Sequence, residues 1–291
     1  MKTTVTKPST LLQFLKEQYP DSPGTRIKKL LKSGTVRVNG KPVTLHSLPL
    51  KPGDEYEVIR QRYTIKKDEL PFPVLYEDNE VTVIDKPAGI PTSSTDGSRS
   101  VQDILSASLR DRSKGKFRAH VVHRLDKEVS GVLLFAKTEK LMEAIRQNWK
   151  ETEKHYYALV EGTPVKPEGT IRSWLVEDDR QKVHSVKENP DAKLAVTHYK
   201  TIRKAGPNTL LDIRTETGRK NQIRVHMSDL GCPIVGDRKY GASAEFIRRI
   251  RLHAWSLAFP HPVTGKNITV ESPMPDGFLN LKSSDEKYKQ R

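Results

Sequence analysis

The sequence contains a single cysteine, Cys232, among 291 residues. One cysteine cannot form an intramolecular disulfide, so the chain is not a disulfide-stabilised secreted domain, and a reducing compartment is expected. Long apolar runs are also missing. Residues 1–7 have no apolar signal-peptide core, and no later stretch approaches the roughly 20 apolar residues of a membrane span. We therefore expect a cytoplasmic protein with no membrane partner.

Metal and nucleotide motifs are missing as well. The nine histidines are scattered, without paired cysteines or a His-Glu-x-x-His helix, so no zinc site is expected. No glycine-rich phosphate-binding loop follows a predicted strand. Any chemistry is therefore expected to need neither a metal nor a cofactor.

Basic residues are abundant by contrast. The chain has 51 Lys and Arg against 36 Asp and Glu, a formal charge of +15. Each phosphate that Lys or Arg neutralises releases counterions, so a polyanionic partner is expected. Charge alone does not distinguish RNA, DNA, an anionic membrane or a merely soluble basic protein.

The most informative segment is HRLDKEVSG, residues 123–131. It places one carboxylate, Asp126, directly before an apolar run, residues 132–136, which predicts a buried strand. A carboxylate at the start of a strand can be a nucleophile, a base or half of an ion pair. The segment alone leaves these three roles open.

With the apolar run that follows it, this segment resembles the signature of the RluA-type pseudouridine synthases, which convert uridine to pseudouridine in RNA. Three further stretches are similar to the same family in the same order. They are KHYYALVEG at 154–162, GRKNQIRVHM at 218–227 with LGCPIVGD at 230–237, and a final stretch at 252–262. The similarity extends from about Pro71 to about Gly277.

The resemblance implies roles for four residues. Asp126 occupies the position of the family's nucleophile-type aspartate, which attacks the ribose carbon, attacks the uracil ring or removes a ribose proton; the sequence does not choose among these. Tyr156 matches an active-site tyrosine that can stack on uracil. Arg224 matches the guanidinium that keeps the aspartate charged and fixed. Arg124 matches the arginine that fills the gap left by the everted nucleotide.

The residues give partial support to these roles. On a helix predicted from 221 to 230, Asn221 and Arg224 share one face, while Ile223 and Met227 share another, so the helix can bury one side and direct Arg224 into a cleft. The alternative is an arginine on a solvated face. If Tyr156 lies on a strand, its neighbour Tyr157 points to the opposite face. His123 is expected to be structural.

The first sixty residues predict a separate unit. Thr10 and Gln13 form a capping box at a first helix, and a second helix is predicted from 22 to 34, with Ile27 and Leu31 on its inner face. This pattern resembles the S4-type RNA-binding module. Four basic residues of the second helix are candidate RNA contacts: Arg26, Lys28, Lys29 and Lys32. The alternative is a small appendage whose lysines are solvated.

Four segments are predicted along the chain: an S4-type RNA-binding domain (1–62), a linker (63–71), a catalytic domain (72–280) and a polar tail (281–291). In the catalytic domain, predicted strands outnumber helices and do not alternate regularly with them. The fold class is therefore predicted to be α+β, a mainly antiparallel mixed sheet with helices on its faces.

The sequence departs from the family pattern at three positions. Val129 stands where the family has Thr, and Lys220 and Asn221 stand where it has Thr-His. These changes leave the proposed bond-breaking groups in place. They alter local hydrogen bonds, and Lys220 adds a charge expected near the cleft, where it can contact a phosphate.

The function predicted from these observations is an RNA pseudouridine synthase acting on ribosomal RNA or transfer RNA. The alternatives are a non-catalytic RNA-binding or ribosome-assembly protein that keeps the fold, and an N-glycosidase that would release free uracil. A monomer is expected by default.

Overall fold

A computed structural model of the protein describes most of the chain in atomic detail. The described residues are 2–20, 24, 27, 31, 36–43, 45–58, 70–94, 98–243 and 249–280. Most of the predicted linker and all of the predicted tail lie outside them. None of the helices in these ranges is long and apolar enough to cross a membrane.

Residues 2–58 contain a small unit with its own apolar core. Four of its strands form an antiparallel sheet in the order β1-β6-β3-β4, and the other two pair with each other. The Asn39-Gly40 hairpin connects two strands of that sheet, with φ of 51° and 77° at its two residues, as an Asn-Gly turn predicts. The strands are β1 (Lys2–Thr4), β2 (Ser9–Thr10), β3 (Val36–Val38), β4 (Lys41–Pro42), β5 (Pro49–Leu50) and β6 (Glu55–Val58).

Helix α1 (Leu11–Gln18) begins at Thr10, and the predicted capping box between Thr10 and Gln13 is confirmed. The predicted second helix falls mostly on residues outside the described ranges. Ile27 and Leu31 are helical there, and both are buried in the same core as α1. The four basic residues proposed for RNA contact, Arg26, Lys28, Lys29 and Lys32, lie outside the described residues.

A large mixed sheet of eleven strands dominates the rest of the chain. Its order is β13-β12-β14-β15-β11-β16-β10-β8-β7, with β17 on β16 and β9 on β10. The strands are β7 (Val74–Glu77), β8 (Val81–Lys86), β9 (His120–Val121), β10 (Ser130–Ala136), β11 (Glu153–Glu161), β12 (Glu168–Glu177), β13 (Val183–Val186), β14 (Lys193–Ala205), β15 (Asn208–Thr215), β16 (Leu252–Pro260) and β17 (Asn267–Glu271).

Each strand pair described in this sheet is antiparallel except β10 with β16. The α+β prediction is therefore confirmed. Strands β7, β12 and β13 were not predicted from the sequence. In β12 only Leu175 is fully buried, so no continuous apolar run marks the strand.

Three helices lie on the faces of this sheet: α2 (Val101–Arg112), α3 (Glu139–Gln147) and α4 (Gln222–Asp229). The first two begin at the N-cap residues Ser100 and Thr138, whose side chains accept from the backbone amides of Asp103 and Leu141. Short 3-10 turns occupy Trp149–Glu151 and Arg238–Tyr240.

Strand β10 is the centre of the core, and all seven of its residues are buried. Leu133 and Phe135 pack in a cluster with residues of α2 and α4, whereas Val132 and Leu134 pack in a second cluster with α3. The strand is therefore covered on both faces. The loop that carries Asp126 leads directly into this rigid strand.

The parallel contact between β10 and β16 requires a glycine. Gly131 has φ of +117°, and a Cβ added there would lie 2.1 Å from the Ala254 carbonyl oxygen. An L side chain would meet both backbone strain and a clash with the neighbouring strand. Gly131 therefore permits the close approach of the two strands beside the Asp126 loop.

Candidate functional site

The Asp126 side chain lines a cavity of about 350 Å³. The loop turns at this residue, because the Val129 amide donates to the Asp126 carbonyl oxygen (3.1 Å). About a third of the side chain, 33%, is exposed. The backbone of Asp126 is therefore fixed, and its carboxylate is accessible to a ligand in the cavity.

The backbone on both sides of Asp126 is held by the segment that follows β8. Thr92 Oγ1 donates to the Leu125 carbonyl (2.8 Å), and the Leu125 amide donates to Thr92 Oγ1 (3.2 Å). Lys86 Nζ donates to the Lys127 carbonyl (3.1 Å) and to two carbonyls of its own loop. Burial lowers the pKa of Lys86 to about 8, although nearby carboxylates oppose this. Position and orientation of the aspartate thus depend on buried contacts around it.

Arg224, on the first turn of α4, reaches Asp126 as the sequence predicts. Its Nη1 donates to Asp126 Oδ2 (3.2 Å) and to Asn221 Oδ1 (3.1 Å). Its Nε and Nη2 donate to the two carboxylate oxygens of Asp237 at 2.6 and 2.8 Å. Asp237 is 1% exposed, so this second pair is buried and bidentate. Asp237 therefore fixes the guanidinium, and Nη1 is directed at Asp126.

Burial alone would lower the pKa of Arg224, but Asp237 and Asp126 outweigh burial and raise the pKa above its ordinary value. The guanidinium also lies over the Tyr240 ring, with 5.0 Å between Cζ and the ring centroid. Arg224 is thus charged and held in one geometry.

Asn221, one of the departures from the family pattern, contributes to this arrangement. It has a left-handed backbone, with φ of 54°, a conformation that Asn tolerates better than most residues. Its Nδ2 donates to the Tyr240 hydroxyl (3.0 Å), and its Oδ1 accepts from Arg224. A second departure, Val129, is buried in the core and lines the cavity.

Neither Asp237 nor Tyr240 was predicted as a site residue, although Asp237 ends the LGCPIVGD motif. Their signal was weak, because an aspartate or tyrosine after a glycine turn is common on protein surfaces. Their contact with Arg224 depends on how the loop after α4 folds back, which spacing along the chain does not specify.

Tyr156 lies on β11 and lines the cavity. Burial raises the pKa of Tyr156 to about 12, with the charge of Asp126 acting in the same direction. The phenol is therefore protonated at neutral pH. Tyr157 points to the other face of the sheet, where its ring stacks on Trp255 with centroids 5.0 Å apart.

His123 also lines the cavity and contacts the central strand. Its Nε2 accepts a hydrogen bond from the Leu134 amide (3.1 Å), and its ring lies 5.0 Å from that of Trp149. Burial lowers the pKa of His123 to about 3, and Lys154 adds to this effect. A neutral ring accepts the bond from the central strand.

The other predicted RNA contacts differ in position. Arg124 is exposed and lines the cavity two residues before Asp126. Lys220 lines an adjoining depression, which shares Gly218 and Arg219 with the cavity, and its ammonium pairs there with Glu177. The structure thus brings Asp126, Tyr156, Arg224 and Arg124 together and places Lys220 outside their cavity.

The cavity is strongly basic. Its lining contains five cations and one carboxylate, Asp126. Arg224 neutralises that carboxylate, so the remaining four cations are available for an anionic ligand. These four are Arg124, Arg146, Lys154 and Arg219.

One group of possible metal ligands lies away from this cavity: Asp78, Glu80 and His261. His261 Nδ1 accepts a hydrogen bond from the Thr264 amide (3.1 Å), so Nε2 carries the ring proton and faces Asp78 Oδ2 at 3.1 Å. This arrangement suits a hydrogen bond between two loops. A metal ion at Nε2 would require the opposite tautomer.

Comparison with protein families gives two matches. The RNA pseudouridylate synthase model matches residues 80–229, and the S4 domain model matches residues 9–55. The first match includes Asp126, Tyr156 and Arg224, and it covers slightly more than half of the chain.

The similarity to individual proteins extends over most of the chain. An uncharacterised RNA pseudouridine synthase of Synechocystis sp. is 34% identical, with 92% of this chain and 86% of that protein aligned. Ribosomal large subunit pseudouridine synthase D of Xanthomonas campestris is 33% identical, with 93% and 87% aligned. Among solved structures, human RNA pseudouridylate synthase domain containing 4 has a TM-score of 0.60 at 25% identity, covering 71% of this chain and 90% of that one.

Proposed function

Because this chain belongs to the RNA pseudouridylate synthase family, we propose that it isomerises specific uridines of large-subunit ribosomal RNA with Asp126 as the nucleophile. The ion pair between Asp126 and Arg224, in the lining of a basic cavity, supports the assignment of Asp126 as the nucleophile. The choice of RNA is supported by relatives named ribosomal large subunit pseudouridine synthase D and by the S4 domain match.

The reaction breaks the bond between uracil N1 and the ribose, turns the base, and joins ring carbon five to the same ribose carbon. The proton on carbon five is released. An anionic carboxylate can start this sequence at the ribose carbon, at the uracil ring or by removing a ribose proton. In each case the hydrogen bond from Arg224 to Oδ2 fixes the direction of the Asp126 carboxylate.

Tyr156 and Arg124 complete the proposed site. The Tyr156 ring faces the cavity and can stack on uracil. Arg124 is exposed beside Asp126, where it can occupy the gap in the RNA stack after the uridine turns out. The non-catalytic alternative predicts the loss of at least one reactive group, but Asp126, Tyr156 and Arg224 line one cavity.

The proposed reaction needs no metal ion. Asp126, the carboxylate of the cavity lining, is bonded to Arg224, and Nε2 of His123 is bonded to a backbone amide. Excess chelator should therefore leave the activity unchanged. A monomer acting in the cytoplasm is part of the same proposal, and sedimentation would measure the oligomeric state.

The decisive test uses ribosomal RNA labelled with tritium at carbon five of uracil, from cells lacking the gene. The purified protein should release tritium, and Asp126→Asn should reduce the rate by roughly a thousandfold or more while RNA affinity is retained. Activity in Asp126→Asn would reject the nucleophile. Free uracil among the products would identify an N-glycosidase, and mapping pseudouridines in total RNA would separate ribosomal from transfer RNA substrates.

A further inference from the structure

A buried lysine in the cavity lining has no part in the reaction described above. Lys154 lies on β11, two residues before Tyr156, and is only 7% exposed. Its Nζ donates to the Thr152 carbonyl (3.1 Å) and lies 5.6 Å from the centroid of the Trp149 ring. Among the residues that the structure describes, no carboxylate pairs with this ammonium.

Other buried lysines of the described chain are better satisfied. Lys86 donates to three carbonyls, and Lys137 pairs with Glu77 at 3.0 Å. An ammonium has three N–H donors, and Lys154 has one hydrogen bond. Burying a cation without an anion is unfavourable. Burial lowers the pKa of Lys154, and the charge of Arg214 adds to this effect.

The neighbourhood of Lys154 is basic and aromatic. Arg146 lines the same cavity, and its Nε and Nη2 donate to the carbonyls of Val122 (3.1 Å) and Val121 (2.7 Å). These bonds place its guanidinium beside the loop that leads to Asp126. Two cations held by backbone carbonyls, Arg146 and Lys154, therefore line the same cavity as the Trp149 ring.

From this geometry we propose that the Lys154 ammonium binds a backbone phosphate of the RNA next to the everted uridine. The proposal rests on the proposed function, because it specifies how the same cavity holds its substrate. A phosphate supplies the negative charge that the free protein does not provide at this position. Uracil is neutral before the reaction, so a phosphodiester matches the ammonium better than the base does.

The test compares Lys154→Gln with wild type in the tritium-release assay. Loss of a charge-assisted hydrogen bond to phosphate should raise KM by about tenfold or more, with kcat nearly unchanged. Lys154→Arg should restore most of the affinity. Lys150→Gln is the matched control, because Lys150 is an exposed residue of the preceding turn and does not line the cavity.

Salt dependence separates phosphate binding from a structural role. The slope of log kcat/KM against log salt concentration should be shallower in Lys154→Gln by roughly 0.7, the contribution of one phosphate contact to a single strand. Lys154→Arg and Lys150→Gln should keep the wild-type slope. Thermal unfolding of Lys154→Gln should occur at the same temperature as wild type or higher, because an unpaired buried charge has been removed.

The substrate side supplies a second measurement that does not depend on folding of the variant. A methylphosphonate in place of each phosphate flanking the mapped uridine removes one negative charge. One replacement should raise KM of wild type but not of Lys154→Gln. The proposal would be overturned if Lys154→Gln kept the wild-type KM and salt slope, or if it lost only kcat. It would also be overturned if neither methylphosphonate changed the KM of wild type. Wild type that releases no tritium would instead reject the proposed function.

Discussion

The cavity lining has two parts, one around Asp126 and one around Lys154, which differ in how their charged groups are paired. In the part around Asp126, the carboxylate and the guanidinium next to it are paired: Arg224 bonds Asp126 on one side and Asp237 on the other. Around Lys154, the cations are bonded to backbone carbonyls only. A paired charge has a fixed geometry, which a nucleophile needs, whereas an unpaired buried cation favours the arrival of an anion. The comparison separates the groups proposed for chemistry from those proposed for holding the RNA.

The largest effect on stability and activity is expected when the buried pair between Asp237 and Arg224 is broken. Asp237→Asn removes the charge that fixes Arg224, so we expect a loss of about 3 to 5 kcal/mol in the free energy of unfolding. Misplacement of the guanidinium should also reduce kcat by about a hundredfold. Urea denaturation and tritium release measure the two effects.

Glu177→Gln is the control for Asp237→Asn. It removes a carboxylate from an exposed pair with Lys220 and should change the free energy of unfolding by less than about 1 kcal/mol. Equal effects of the two substitutions would show that burial of the Asp237 pair has no importance.

Tyr156→Phe should have the next largest effect. The ring remains for stacking, so KM should change little, while loss of the hydroxyl should lower kcat by about a hundredfold if the phenol transfers a proton. Because burial raises the pKa of Tyr156 to about 12, the wild-type rate should show no step from its ionisation near neutral pH. Steady-state kinetics between about pH 6 and 9 test both statements. An unchanged kcat in Tyr156→Phe would mean that Tyr156 contributes only by stacking on the base.

A smaller effect should appear in the pH dependence of stability. His123 has a pKa lowered to about 3 by burial and Lys154, against about 6.5 in an unfolded chain. Between these values the unfolded chain binds a proton that the folded protein does not. The stability contributed by His123 is therefore complete above about pH 6.5 and is lost as the pH falls towards 3.

The glutamine in His123→Gln can still accept a hydrogen bond from the Leu134 amide. The substitution should reduce the slope of the free energy of unfolding against pH by up to about 1.4 kcal/mol per pH unit. Urea denaturation at several pH values measures the slope. A slope identical to that of wild type would mean that His123 titrates equally in both states.

The smallest effect is expected at Lys220. Its ammonium pairs with exposed Glu177 outside the cavity, so Lys220→Gln should change kcat/KM by less than about threefold, within the range of an exposed pair. An effect as large as that of Lys154→Gln would show that cations outside the cavity bind RNA equally well, and the distinction between the two parts would fail.

Much of this site could be predicted from sequence because local patterns specify it. The apolar run at 132–136 predicted a buried strand, and β10 is buried on both faces. The spacing of Ile223, Arg224 and Met227 predicted a helix with a core side and a cleft side, and Arg224 does reach Asp126. The capping box at Thr10 and Gln13 predicted the start of α1, and the helix does begin there.

Other features required the tertiary structure. Lys220 was expected near the cleft, yet its side chain turns to Glu177, because neighbours on another strand decide the direction of an exposed side chain. The bidentate bond of Asp237, and the lack of a paired carboxylate for Lys154 within the described ranges, both depend on which distant segments meet.

The sequence by itself therefore determined the class of fold, the order of the main elements and the identity of Asp126, Tyr156 and Arg224 as neighbours in one site, since periodicity, capping and family motifs are recorded along the chain. Only the tertiary structure decided which charges are paired. Coulomb energies and desolvation depend on distances and burial in space, and two residues far apart in sequence acquire both only when the sheet and its helices have packed.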